Sequence, residues 1–321
     1  MTIERWLIVG CGYVGSQVAL RACQHGHTVY ALTRTESRFG ELQGLGIKPC
    51  LGHWLVPDSL AQLPAVDRVM VSIPHRADDT LPTATTLPPA SARADSPHAV
   101  SATAEPTPDT AEQTHAVGLK NLCRALPDGW QKLLYLSTTG VYGHSSSAWI
   151  DEHTPVSPER IGPRIAVAAE DWLTRNTVPH GLLAQRDHCV LRLAGIYGPG
   201  RIPLAERLRG GEPLAVPQQG HLNLVHVDDI AHMVCCMLTR PMQHKTYLFS
   251  DGQPVLRDTF YRHLAELCGV AQPTFVQPHP DSAKSRRATD KRISPARLLA
   301  ETGYQLQYPD YRSGLAHALA N

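Results

Sequence analysis

Six residues near the amino end have the types and spacing to hold a phosphate. Gly10-Cys11-Gly12-Tyr13-Val14-Gly15 follows directly on a short apolar run at residues 6–9 and opens a helical pattern over residues 14–23. In a strand–turn–helix of this kind the first glycine makes a tight turn. The second lets the backbone approach a pyrophosphate, and the third allows close helix-to-strand packing. The helix N-terminus adds unpartnered N–H groups and a partial positive charge. Glycine spacing alone is weak evidence. With the strand before it and the helix after it, the turn makes Gly10, Gly12, Tyr13, Val14 and Gly15 candidate dinucleotide-binding residues, the other use being an ordinary glycine-rich turn.

A site of this type expects a carboxylate about 20 residues further on, at the end of the second strand, to bond a ribose 2′-hydroxyl. That neighbourhood reads Ala31-Leu32-Thr33-Arg34-Thr35, with an arginine and no acid. A guanidinium suits a 2′-phosphate through charge-assisted, bidentate bonds. Thr33 and Arg34 therefore predict NADP rather than NAD; stacking on an adenine or lying in solvent are the other uses of Arg34. Ser72, in a strand candidate at residues 69–73, completes the set expected at the cofactor.

The elements that must position these residues alternate. Strand candidates at 6–9, 27–32, 69–73, 133–137 and 189–193 are separated by helical patterns. One of these puts Leu119, Leu122, Cys123 and Leu126 at i, i+3, i+4 and i+7. A further helix is expected over residues 166–173. Such alternation predicts an α/β fold: a Rossmann-type doubly wound parallel sheet covered on both faces. Residues 78–109 break the rhythm, being rich in Pro, Ala, Thr and Ser, and read as a surface insertion or an active-site lid. Beyond residue 198 the pattern turns irregular, with helices near residues 229–238 and 259–267. The expected organisation is a dinucleotide-binding domain at 1–197 and a smaller substrate region at 198–321, part of which (about 222–250) returns to the first core.

Several motifs then fall in one order. Ser137-Thr138-Thr139-Gly140-Val141-Tyr142-Gly143 ends the fourth strand candidate. Leu191-Arg192-Leu193-Ala194-Gly195-Ile196-Tyr197-Gly198-Pro199-Gly200 follows, and then Asn223-Leu224-Val225-His226-Val227-Asp228-Asp229-Ile230-Ala231. With the N-terminal glycines, this run resembles the extended short-chain dehydrogenase/reductases, specifically the NAD(P)-dependent epimerase/dehydratase group, over most of the chain. The resemblance implies an active site in the cleft between the two regions, and homodimers are common in the family. It assigns Thr138 to a substrate hydroxyl or carbonyl and Tyr197 and Pro199 to the nicotinamide. It makes His226 and Asp229 the segment that closes the cleft, against the more ordinary use of the two as a buried histidine and a helix-start acid.

The chain departs from the family at its catalytic pair. Tyr-x-x-x-Lys, with a Glu four residues later, is expected in Arg160-Ile161-Gly162-Pro163-Arg164-Ile165-Ala166-Val167-Ala168-Ala169-Glu170. Anchored on Glu170, the tyrosine position holds Gly162 and the lysine position Ala166; neither transfers a proton. Arg164 is always protonated and makes a poor general acid. The proton source is then expected among Tyr142, Tyr197, water or the substrate. Arg164, Arg201 and His226 are candidate substrate contacts. Lys291 and Arg292 either grip an anionic substrate or lie in solvent.

Composition closes off other classes. The chain of 321 residues carries 30 Lys+Arg and 29 Asp+Glu, a net charge of +1, which gives no field for nucleic acid or an anionic membrane. No apolar run of about 18 residues is present. The opening residues, with Glu4, are unlike a signal peptide. Eight cysteines without a C-x-x-C pair read as reduced thiols in the cytoplasm. Seventeen histidines show no metal-ligand spacing, and G-x-S-x-G is absent, so no metal or hydrolase is expected. The leading expectation is an NADP-dependent oxidoreductase or epimerase/dehydratase-like enzyme acting on a small polar, sugar-like molecule. The rival is a catalytically silent NADP-binding sensor or scaffold.

Overall fold

The computed structural model describes residues 2–74, 111–143, 146–277 and 290–320. The insertion expected at 78–109 lies outside them. Seven strands form the central sheet: β1 (Arg5–Val9), β2 (Thr28–Thr33), β3 (Lys48–Leu51), β4 (Arg68–Val71), β5 (Lys132–Thr138), β6 (Asp187–Leu193) and β7 (Thr246–Phe249). Their order is β7-β6-β5-β4-β1-β2-β3, and every pairing is parallel. This is a Rossmann-type sheet with an extra edge strand. Strands β3 and β7 were not among the sequence expectations: Lys48-Pro49-Cys50-Leu51 is half-exposed at the sheet edge and carries no apolar run.

Helices cover both faces. On one, α1 (Tyr13–Gln24) presents Val14, Val18, Ala19 and Ala22 to the sheet. On the other lies α2 (Thr114–Ala125), which buries Leu119, Leu122 and Cys123, the stripe legible in the sequence. It packs beside α3 (Ile161–Arg175). Helix α4 (Val227–Thr239) packs against α1, and its Ile230, Met233, Val234 and Met237 join the α1-side core. Through α4 and β7 the second half of the chain returns to the first. A separate core gathers Tyr197, Leu208, Leu214, Phe260, Leu264 and Leu315 from the C-terminal region, including α5 (Arg257–Cys268) and α6 (Tyr311–Ala320).

Register fixes where chemistry can occur. Val9 is level with Leu32 on β2 and with Val71 on β4, and Val71 is level with Tyr135 on β5. Gly10, Ser72 and Thr138 therefore all leave the sheet at its carboxyl edge. Strand order reverses between β1 and β4, which opens a crevice there. Among the described residues no helix is long and apolar enough to cross a membrane. All eight cysteines are free.

Candidate functional site

The glycine turn is built by close approach. Gly10 has φ +96°, and a side chain on it would collide with the Ser72 carbonyl. A side chain on Gly15 would collide with the Gly10 carbonyl, so the start of α1 seats directly on the end of β1. Nothing lies within 4 Å of the equivalent point on Gly12, and α1 has neither a capping side chain nor an acid in its first turn. Its N–H groups and dipole thus face an open approach that fits the pyrophosphate of a dinucleotide. Ser72 holds the adjacent strand end, its N–H donating to the Val9 carbonyl at 2.8 Å.

Tyr13 and Val14 divide their work. Val14 is buried in the α1-side core. The Tyr13 hydroxyl donates to the Pro199 carbonyl at 3.0 Å, and the Arg201 guanidinium lies 5.3 Å from its ring centre. Burial pushes the Tyr13 phenol up to about 12, Arg201 pulling the other way and Asp228 adding to the rise. Thr33 is buried and its hydroxyl bonds the Thr35 backbone. Arg34 stands exposed beyond β2. Four residues on, Arg38 donates from Nη1 to the Cys11 carbonyl at 2.8 Å, holding a second guanidinium on the turn. The sequence reading passed over Arg38, although its place in the loop after β2 was the available signal.

At the end of β5, Thr138 caps a 3-10 turn over Thr139–Tyr142, its Oγ1 accepting from the Gly140 N–H at 3.0 Å. Among the described residues its own hydroxyl proton has no acceptor. Tyr142 is placed differently from the expectation: it is 2% exposed and turned inward. Its oxygen accepts from Arg192 Nη1 at 2.6 Å, and its proton goes to the Asp151 carbonyl at 3.2 Å. Burial also pushes this phenol up. The Arg192 guanidinium forks onto Glu170, with Nη2 to Oε2 at 2.5 Å, and the Ser137 hydroxyl donates to Glu170 Oε1 at 2.5 Å. Tyr142 is therefore a structural member of this buried network and reaches no cleft. Tyr197 is corrected likewise: fully buried, it packs edge-on to His226 and within the C-terminal core.

Helix α3 brings Gly162 and Ala166 to the same region. Pro163 Cγ comes to 3.1 Å from where a Gly140 side chain would begin, so the first turn of α3 sits on the Thr139–Tyr142 turn. Ala166 is buried with Val141, Tyr142 and Ile150, an apolar setting with no use for an amine. Arg164 points elsewhere: half-exposed, it pairs with Glu112 at 3.3 Å. His226 is 1% exposed and caps α4, its Nδ1 accepting from the Asp228 N–H at 3.2 Å. It is a buried cap with no open face for a substrate. The neighbouring Asp229 carboxylate accepts from the Tyr304 hydroxyl at 2.6 Å and the Gln307 N–H at 2.7 Å, tying the C-terminal segment to α4.

The fold also assembles a group that spacing did not reveal. Donor atoms of His226, Asp228 and His317 lie within 4.8 Å of one another, with His226 Nε2 3.3 Å from His317 Nδ1. Capping through Nδ1 puts the neutral ring's proton on Nε2. A metal-bound histidine instead donates its second ring N–H to a neighbour, so the cap disfavours a metal here.

A parallel Rossmann sheet with a glycine turn at its switch point is the arrangement with which proteins of this fold hold dinucleotides. The model of the NAD dependent epimerase/dehydratase family matches residues 93–248. The chain is 32% identical over 179 residues to Protein YeeZ of Escherichia coli K12, a match that spans 56% of this chain and 59% of YeeZ. A functionally unknown conserved protein from Silicibacter pomeroyi superposes with a TM-score of 0.73 at 26% identity, over 99% of this chain and 98% of that one. The Bordetella bronchiseptica enzyme WbmG, in complex with NAD and UDP, superposes with a TM-score of 0.73 at 18% identity, over 99% and 94%. Over 196 residues the chain is also 29% identical to short-chain dehydrogenase/reductase family 42E member 1 of Danio rerio, a match that spans 52% of this chain and 49% of that one, so it is similar to this family over about half its length.

Proposed function

We propose that this chain is an NADP-dependent oxidoreductase or epimerase/dehydratase-like enzyme acting on a small polar, sugar-like molecule in the cytoplasm. The observation that carries the cofactor preference is Arg34, exposed at the end of β2 where an acid would select NAD, with Arg38 held on the glycine turn beside it. Gly10, Gly12 and Gly15 admit the pyrophosphate, and Ser72 and Pro199 border the crevice. The nicotinamide, when bound, supplies the carbon that gives or takes a hydride. Thr138 orients the substrate oxygen through its remaining hydroxyl proton, and Arg201 stands at the mouth. With Tyr142 bonded inward, the proton comes from water or from the substrate. The complexes of WbmG with NAD and UDP and of the Thermotoga maritima UDP-glucose 4-epimerase with UDP-glucose support a nucleotide-sugar-like ligand.

One observation favours a second reading, a silent NADP-binding sensor or scaffold: Gly162 and Ala166 present no proton donor on α3, and Tyr142 is committed to Arg192. Product analysis with NADPH, NADP and a panel of carbonyl compounds and nucleotide sugars separates the two. Turnover that falls in Thr138→Ala supports the enzyme. Tight NADPH binding with no product from any compound supports the sensor.

A further inference from the structure

Lys291 is an uncommon kind of lysine: only 5% exposed, against the solvated alternative that its sequence context left open. Its Nζ donates to the Gly143 carbonyl at 2.9 Å. An ammonium carries three N–H donors, and among the described residues that carbonyl is its single hydrogen-bond partner, with no carboxylate within 4 Å. A buried cation with no carboxylate in direct contact costs several kcal/mol, which a neutral side chain of similar length would avoid.

The backbone under this amine is clamped. Asn223 donates from Nδ2 to the Lys291 carbonyl at 2.8 Å and accepts from the Ile293 N–H at 2.7 Å. Arg292 and Ile293 pair with Trp149 and Ile150 as two short parallel strands. Gly143 closes the same turn that Thr138 opens, and the first turn of α3 sits on that turn. The amine thus lies at the edge of the segment holding Thr138, beside the helix that lacks the family's catalytic pair.

We propose that Lys291 is an oxyanion-binding residue of the substrate site, its two remaining N–H donors receiving a carboxylate or phosphoryl oxygen of the substrate. This rests on the reading of the Thr138 cleft as the substrate site, and it narrows the substrate to an acidic molecule. Burial, and after it the charge of Arg160, pull the ammonium down to about 8, with Glu159 opposing. An anion seated on Nζ acts in the other direction.

The test uses the full chain saturated with NADPH, so that the glycine turn is filled, with inorganic phosphate and acetate as probes. The Lys291 ammonium is followed by NMR of lysine-labelled protein. Binding of either anion is expected to raise its midpoint by about one unit for each tenfold preference for the charged form. Lys291→Met is expected to weaken the anion at least tenfold, whereas Lys291→Arg retains it and both keep NADPH affinity. The stronger probe identifies the oxyanion as carboxylate or phosphoryl. Equal anion affinity in Lys291→Met and the parent, or no binding of either anion to the parent, overturns the proposal. So does a Lys291 signal unmoved at saturating anion. If Lys291→Met does not fold, the Arg variant and the NMR titration decide. Failure of the parent to bind NADPH counts against the cofactor reading alone, because the lysine titration is read equally without it.

Discussion

The Tyr13 hydroxyl and the Pro199 carbonyl, 186 residues apart, are joined by a 3.0 Å hydrogen bond across the mouth of the crevice. It ties the first helical residue after the glycine turn to the Tyr197-Gly198-Pro199 loop. With the phenol pushed up to about 12 by burial, the donor keeps its proton at every physiological pH. Tyr13→Phe is expected to cost about 1 kcal/mol, near a fivefold loss of NADPH affinity if the two loops must be held together to bind it. Fluorescence titration measures this; an unchanged affinity would show that the loops are ordered independently.

Arg34 makes the cofactor prediction. Removing a hydrogen-bonded charge costs about 1.5–3 kcal/mol. Arg34→Ala should therefore weaken NADPH by about ten- to a hundredfold and leave NADH unaltered. Calorimetry with both cofactors checks it. If the parent binds the two equally and the variant changes neither, the preference for the 2′-phosphate is refuted.

How much of this was legible in the sequence follows from the distance over which each feature is determined. The glycine turn was readable because its strand, turn and helix are contiguous, and Leu119–Leu122–Cys123 because a helix repeats locally. Thr138 was placed at a strand end by the apolar run before it. The inward turn of Tyr142 was not readable, since its partner Arg192 lies on another strand 50 residues away. Nor were the Asn223 clamp on Lys291 and the His226–His317 contact, at separations of 68 and 91 residues. Those pairings exist only once α4 and the C-terminal segment have docked on the sheet.

The Glu170–Arg192 pair supplies a stability prediction. Both side chains are at most 10% exposed, and Ser137 and Tyr142 complete their hydrogen bonds. Glu170→Ala leaves a buried guanidinium uncompensated, for which about 3–5 kcal/mol is expected. Glu170→Gln keeps one carbonyl oxygen to accept from Arg192, its amide NH2 replacing the other acceptor, and should cost less than the alanine. Urea denaturation ranks the two. If Glu170→Ala were no worse than an exposed substitution such as Glu206→Ala, the network would have no structural role.

His188, on β6, gives the pH dependence. It is 2% exposed, and its Nδ1 has no hydrogen-bond partner among the described residues. Burial, with Lys245 adding and Asp187 opposing, lowers it to about 4. The unfolded chain protonates this ring near pH 6.5. Between those values the unfolded state binds a proton that the folded state does not, so stability falls as the pH drops. The contribution is complete above about pH 6.5 and is lost on the way to pH 4, a total of about 3 kcal/mol. Other groups titrate over the same range, so the informative quantity is a difference between two proteins. His188→Gln cannot take up that proton in either state. Its urea-derived stability, measured from pH 7.5 to 4.5, should decline less steeply than the parent's, by up to about 1.4 kcal/mol per pH unit near pH 5. Parallel curves would mean that water reaches the ring and that β6 opens locally before the sheet unfolds.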